Sequence, residues 1–286
     1  MKWEDNRRSD NVEDRRGSGG GGPVIGGRSI GIGTIVIALV GGWVLGVNPL
    51  TILSLLSGGT PVVQQQNTPA QAPAGSDQMA QFVSTVLADT EDVWKEQFSA
   101  QGGTYSDPRL VLFSGATSTA CGTGQSAMGP FYCPGDQRVY IDLSFYDQLK
   151  NQLGAPGDFA QAYVIAHEVG HHVQNLLGIT GKVDQMRGRV SEKDYNALSV
   201  KLELQADCFA GLWAKHSHIT LEQGDLEEAL NAAAKIGDDA LQRAQTGQVV
   251  PDSFTHGSSA QRQRWFSQGY QSGSMKSCDT FSAASL

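Results

Sequence analysis

His167-Glu168-Val169-Gly170-His171 sets two histidines four residues apart, with a glutamate beside the first. On an α-helix, residues i and i+4 share a face, so both imidazoles reach one metal ion. The carboxylate next to the first ligand can hold and deprotonate a water at that metal, the chemistry of metal-assisted hydrolysis. A catalytic zinc takes three protein ligands and keeps one position for water. The positions that would continue the same helix to a third histidine are Gln174 and Leu177, so the third ligand must come from elsewhere. Glu203-Leu204-Gln205-Ala206-Asp207 offers it, on the helix begun by Ser191-Glu192-Lys193-Asp194. Glu203 and Asp207 are again four apart, within an apolar stretch that holds Leu202, Cys208, Phe209, Leu212 and Trp213. Two stacked carboxylates there are unfavourable unless something positive faces them, and zinc together with a ligand imidazole N–H would satisfy both; a solvent-facing acid pair is the alternative. The expectation is one zinc per chain on His167, His171 and Glu203, with Glu168 as the base. His172 is one residue off the metal face and reads as supporting or structural. His216 and His218 near a helix end read as histidines favoured by the helix dipole, with a second metal site as the alternative.

The elements that must position these residues follow from apolar spacing. Phe159, Ala162, Ile165, Val169, Val173 and Leu176 repeat at helical intervals, and Gly178 reads as the C-terminal stop. Helices are expected over about 158–177, 192–217, 221–246 and 258–270, with an earlier one over 77–100 behind an Asp cap. Residues 110–113 and 138–143 read as strands, the second alternating Val139, Ile141 and Leu143 with polar residues. The fold class is α+β, mainly helical, with a small sheet. The strand near 138–143 is expected to be an edge that aligns substrate by β-augmentation.

The 286 residues include 29 acidic and 21 basic side chains, for a net charge of −8. An acidic chain with no basic face argues against nucleic acid as a partner. Residues 1–29 hold six basic and five acidic residues, whereas 30–76 hold no charge. The stretch IGIGTIVIALVGGWVLGV (30–47) would span about 27 Å as a helix. With the basic residues ahead of it, the positive-inside rule gives a single-pass topology. Residues 1–29 are then cytoplasmic, 30–56 a transmembrane anchor, 57–76 a flexible Pro/Gln/Ala-rich linker, and 77–286 an extracytoplasmic domain on the periplasmic side of a bacterial inner membrane. Four cysteines outside the cytoplasm permit disulfides. Cys121 and Cys133 flank a Gly/Pro-rich loop and form the natural local pair, which leaves Cys208 with Cys278; free buried thiols are the alternative.

HEVGHHVQ followed by ELQADCFAGLWA, with GPFYCPGDQRVYID (129–142) and SFTHGSSAQRQRWF (253–266), resembles the bacterial neutral zinc metallopeptidase family, whose members are expected to be membrane-anchored. The resemblance spans roughly 77–278. More broadly, the H-E-x-x-H and E-x-x-x-D pair is similar to the gluzincins, which implies Glu203 as third ligand and Asp207 as support for a ligand histidine. Thr255-His256 with Arg262 six residues on is similar to the T-H-P…R motif of membrane M48-type peptidases, with Gly257 in place of the proline. That implies a catalytic role for both: His256 as a donor to the developing oxyanion, Arg262 as an anchor for substrate or for His256; a capping or packing histidine and a surface arginine are the alternative. The function expected is zinc-dependent hydrolysis of protein or peptide substrates at a membrane. The alternative is an inactive zinc-bearing envelope domain that binds protein partners.

Overall fold

Short polar side chains mark the helix starts. Asp77 Oδ1 accepts the Ala80 amide at 3.0 Å and opens α1 (Gln78–Ser99). Ser191 accepts the Asp194 amide at the head of α5 (Glu192–His216). A full capping box of Ser258 and Gln261 opens α8 (Ser259–Ser272). Between them lie α2 (Ser144–Asn151), α3 (Asp158–Leu176), α4 (Ile179–Asp184), α6 (Asp225–Lys235) and α7 (Asp238–Thr246). Gly178 stops α3 in the left-handed region, at φ 72°. The computed structural model describes residues 1–16 and 75–286.

The principal sheet has the order β1-β2-β6-β5, from strands Val12–Asp14, Arg109–Phe113, Arg138–Asp142 and Phe131–Cys133 for β1, β2, β6 and β5. β1 and β6 run parallel to β2, and β5 runs antiparallel to β6. β3 (Ala116–Thr119) and β4 (Gly122–Gln125) form a separate antiparallel hairpin. Alternation sends Leu110, Leu112, Val139 and Ile141 into the main core, while Val111, Phe113 and Tyr140 join Cys133 in a small cluster on the other face. The main core is built on Trp94, Phe159, Tyr163, Phe209, Trp213 and Phe266, contributed by α1, α3, α5 and α8. At the α5–α8 crossing the backbones touch. A Cβ on Gly211 would lie 2.0 Å from Phe266 O, and one on Gly269 1.9 Å from Cys208 O, so only glycine fits either position.

Four expectations need correction. The strand at 138–143 is not an edge: β6 is flanked by β2 and β5, and the edges are β1 and β5. The single helix expected over 221–246 is two, broken at Ile236-Gly237, where a Cβ on Gly237 would sit 2.5 Å from the Ser259 amide. The mainly helical α+β domain is observed, but not the transmembrane helix expected before it. No helix among the described residues is long and apolar enough to cross a membrane, and the segment 30–56 lies outside the described residues.

The expected localisation, with a cytoplasmic N-terminus and a periplasmic domain, is likewise overturned. Residues 1–16 and 75–286 belong to one compact unit. Trp3 stacks edge-on against Phe82, and Met1, Trp3 and Val12 are buried in the main core. The Met1 ammonium meets Asp158 at 3.2 Å, at the start of α3, and Asp225 at 3.3 Å. Arg16 pairs with Asp77 at 2.6 Å, so the chain on either side of 17–74 is held at one point of the same body. A single crossing between those points cannot put the N-terminus and the domain on opposite sides of a membrane. Both cysteine pairs form disulfides, Cys121–Cys133 and Cys208–Cys278, with Cα separations of 5.8 and 5.5 Å.

Candidate metal centre

Two helices carry the site. α3 brings His167, Glu168 and His171, and α5 brings Glu203 and Asp207. Gly170, inside the histidine motif, lets the helices approach: a Cβ there would lie 3.1 Å from both Ala206 Cα and Ala206 O. The shared face carries Tyr163, His167 and His171 at successive intervals of four, opposite Glu203 and Asp207.

His167 Nε2 stands 3.2 Å from Glu203 Oε2, and His171 Nε2 stands 3.5 Å from Glu203 Oε1. The imidazole rings are perpendicular, with centroids 4.8 Å apart. Tetrahedral zinc with bonds of about 2.0–2.1 Å holds its ligand atoms about 3.4 Å from one another. The donors are two imidazole nitrogens and a carboxylate oxygen, so both separation and chemistry fit zinc. The Nδ1 atoms are committed elsewhere: His167 Nδ1 to Asp207 Oδ1 at 2.8 Å, His171 Nδ1 to Gln174 Oε1 at 2.9 Å. Each Nε2 is thereby left for a metal.

Behind His167, Asp207 is fully buried and saturated. Tyr163 donates its hydroxyl to Oδ1 at 2.5 Å, and Arg262 donates Nε to Oδ2 at 2.8 Å and Nη2 to Oδ1 at 2.9 Å. Arg262 is itself buried, and its Nη1 donates to Ile236 O at 3.2 Å. It faces the back of His167 and not an open cleft. Burial pushes the Asp207 carboxyl up, but the Arg262 guanidinium and then His167 outweigh it and hold the pKa at about 2. Glu203 is likewise pushed up by burial, yet the facing His171 and His167 hold it well below the usual carboxylate range.

Glu168 is buried beside His167, and its charge acts on His171. His256 lies on the loop before α8. Its side chain is half exposed, with Nδ1 3.2 Å from Asp238 Oδ1 and 3.1 Å from Thr255 Oγ1. The Asp238 hydrogen bond raises its pKa against the effect of burial, and the Glu203 charge adds to the rise. The loop is clamped from below, since the amides of Thr255, His256 and Gly257 all donate to Asp238 Oδ2, at 2.8, 2.7 and 3.0 Å.

The remaining histidines are elsewhere. His172 is fully buried between Tyr132 OH at 3.0 Å and Ser106 O at 2.7 Å. His216 donates to Gly273 O at 2.9 Å from the last turn of α5, and His218 lies near Asp89 and Glu96. Sequence reasoning missed Tyr163, Gln174 and Asp238. Tyr163 had a signal, being four residues before His167 on the metal face; Asp238 had none, because the clamp depends on the helix break at Gly237.

Over residues 1–281 the chain matches the model of the family described as "Putative neutral zinc metallopeptidase". It belongs to that family. It is 54% identical over 290 residues to the "Uncharacterized protein YpfJ" of Escherichia coli strain K12, covering 98% of this chain and 99% of the relative. To the "Uncharacterized protein Rv2575" of Mycobacterium tuberculosis H37Rv it is 44% identical over 207 residues, 68% of each chain. No solved structure matches it. The match of this zinc metallopeptidase family begins at residue 1, in keeping with the N-terminal segment that packs into the core.

Zinc loading of this family member is expected to release protons. Burial disfavours the His171 imidazolium, but the Glu203 carboxylate outweighs it and lifts the pKa to about 9; His167 is raised by Asp207 and Glu203 in the same way. Zinc needs neutral imidazoles. At pH 7, binding must therefore displace at least one proton, and affinity should climb with pH by up to about tenfold per unit per proton until His171 is neutral. Calorimetry in two buffers of different ionisation enthalpy measures the number. Zero net protons at pH 7 would contradict the pairing of His171 with Glu203.

Proposed function

We propose that the chain is a zinc-dependent endopeptidase with one zinc per chain, held by His167, His171 and Glu203. The observation that carries this is the pair of Nε2 atoms 3.2 and 3.5 Å from the Glu203 carboxylate, with both Nδ1 atoms already engaged. The family supports hydrolysis of protein or peptide bonds. When bound, zinc supplies Lewis acidity for a peptide carbonyl and lowers the pKa of a water toward 7.

The residues divide the remaining work. Glu168 takes a proton from the attacking water and returns it to the departing amine. Asp207 holds His167 in the tautomer that presents Nε2, and Arg262 keeps Asp207 ionised from behind. Arg262 is thus a positioning residue in this reading. His256 turns Nδ1 to Asp238, a contact that favours its imidazolium form over that of a free imidazole, and in that form its Nε2–H would donate to negative charge developing on the carbonyl oxygen. Edge strand β5, which packs against α3, has a side that no strand among the described residues pairs, and an extended peptide could add there. The two disulfides support an oxidising compartment as the place of work.

The test is incubation of the purified full chain with a library of unstructured peptides, scored by new N-termini in mass spectrometry. Cleavage should appear with zinc, vanish with a chelator and return on zinc addition. A zinc-loaded chain that cleaves nothing in the library would contradict the enzyme reading and favour an inactive zinc-bearing domain.

A further inference from the structure

The two histidines of the site are held by different chemistries. His167 leans on a carboxylate that a guanidinium compensates, whereas His171 leans on a neutral amide. Gln174 is fully buried one turn past His171. Its Nε2 donates to Leu202 O at 2.7 Å and to Gln205 Oε1 at 3.1 Å, which uses both N–H groups. Its Oε1 is therefore the atom turned to His171 Nδ1. Gln205 is fixed in the same way, because its Nε2 donates to Cys278 O at 2.9 Å.

A backbone carbonyl can only accept, so the relay has one polarity. Cys278 O demands the Gln205 NH₂, whose oxygen then faces Gln174. Leu202 O and Gln205 together demand the Gln174 NH₂, whose oxygen then faces His171. The assignment of oxygen and nitrogen in both amides thus follows from two groups that cannot be flipped. The far end is rigid: Cys278 is bonded to Cys208 on α5, and Thr280 Oγ1 donates to Lys201 O at 2.6 Å.

We propose that Gln174, oriented by Leu202 O and by Gln205 on the carbonyl of disulfide-bonded Cys278, is the positioning residue that keeps the His171 proton on Nδ1 and its lone pair on Nε2. This rests on the zinc reading above only for its consequence: in the metal-free chain Glu203 Oε1 also faces the ring, but it lies 3.5 Å from Nε2, against 2.9 Å between Gln174 Oε1 and Nδ1, so the shorter contact holds the proton. In it, the disulfide that joins α5 to the chain after α8 anchors one ligand histidine.

The experiment has two readouts on the full chain. The first is nitrogen-15 NMR of His171 in the metal-free protein at alkaline pH, where the ring is neutral. The expected state is Nδ1–H, with that proton protected from exchange; an Nε2–H tautomer, or a freely exchanging Nδ1 proton, would overturn the proposal. The second is zinc affinity by competition with a chromophoric chelator. Gln174→Leu should bind zinc about 10–100-fold more weakly, the usual effect of losing a partner behind a ligand. Gln205→Met should weaken it less, because Leu202 O still orients Gln174. Wild-type affinity in Gln174→Leu would overturn the proposal. If Gln174→Leu does not fold, the wild-type tautomer and Gln205→Met still decide. A wild-type chain that binds no zinc but carries His171 as Nδ1–H would sink the zinc reading and leave the relay standing.

Discussion

Glu168→Gln is expected to keep a full complement of zinc and lose peptide hydrolysis by about 10²–10⁴-fold or more, the range for removing a general base. Glu168 follows His167 on α3 and is not among the three residues whose donor atoms converge, so the amide should leave the ligand set intact. The substitution is nearly isosteric and removes only the ability to accept a proton. The loss should appear in kcat, with KM nearly unchanged, because the proton transfer belongs to the transition state and not to binding. Metal analysis and steady-state kinetics on the same preparation check both halves. Retained activity would remove Glu168 from the base role, and lost zinc would make it a ligand.

Arg262→Met should destabilise the protein by about 3–5 kcal/mol, because it strands the buried Asp207 without its cation. For a chain of this size that is a fall in Tm of roughly 6–20 °C. The size follows from geometry: both side chains are almost wholly buried and joined through Nε at 2.8 Å and Nη2 at 2.9 Å. A residue that only anchored substrate would leave Tm unmoved. The pH dependence carries a sign. The Asp207 pKa is depressed to about 2 in the folded state, against about 3.9 unfolded. Its stabilising contribution is therefore present above about pH 4 and lost as pH falls toward 2. The gap between wild type and Arg262→Met should be full at pH 7 and narrow in acid. Pairing the change with Asp207→Asn should recover part of the loss, since the uncompensated charge is gone. An Arg262→Met protein with wild-type Tm at neutral pH would contradict the buried pair.

The helices that carry the candidate site were legible because their signals are local. Histidines four apart on an apolar helical repeat, and two acids four apart in an apolar stretch, each imply a face and a compensating partner. Gly178 was readable as a stop because little else ends a helix so. The N-terminal segment was misread for an equally physical reason. Arg7, Arg15 and Arg16 look like the basic flank of a membrane span, yet Arg7 pairs with Glu91 and Asp92, Arg15 with Glu13, and Arg16 with Asp14 and Asp77. Tertiary partners, some of them about eighty residues away, account for charges that composition alone assigned to a cytoplasmic face. The short strands β3, β4 and β5 lie in a Gly-rich stretch with no alternation to reveal them. Gln174 and Gln205 gave no signal, because a buried amide with every partner satisfied has the same letters as an exposed one.

The zinc site itself is tested most directly by anomalous diffraction at the zinc absorption edge from crystals of the full chain. One zinc peak is expected, about 2.0–2.2 Å from His167 Nε2, His171 Nε2 and a Glu203 oxygen. A zinc ion held by His256, or one among Asp158, Asp225 and Glu228 with none between α3 and α5, would contradict the account.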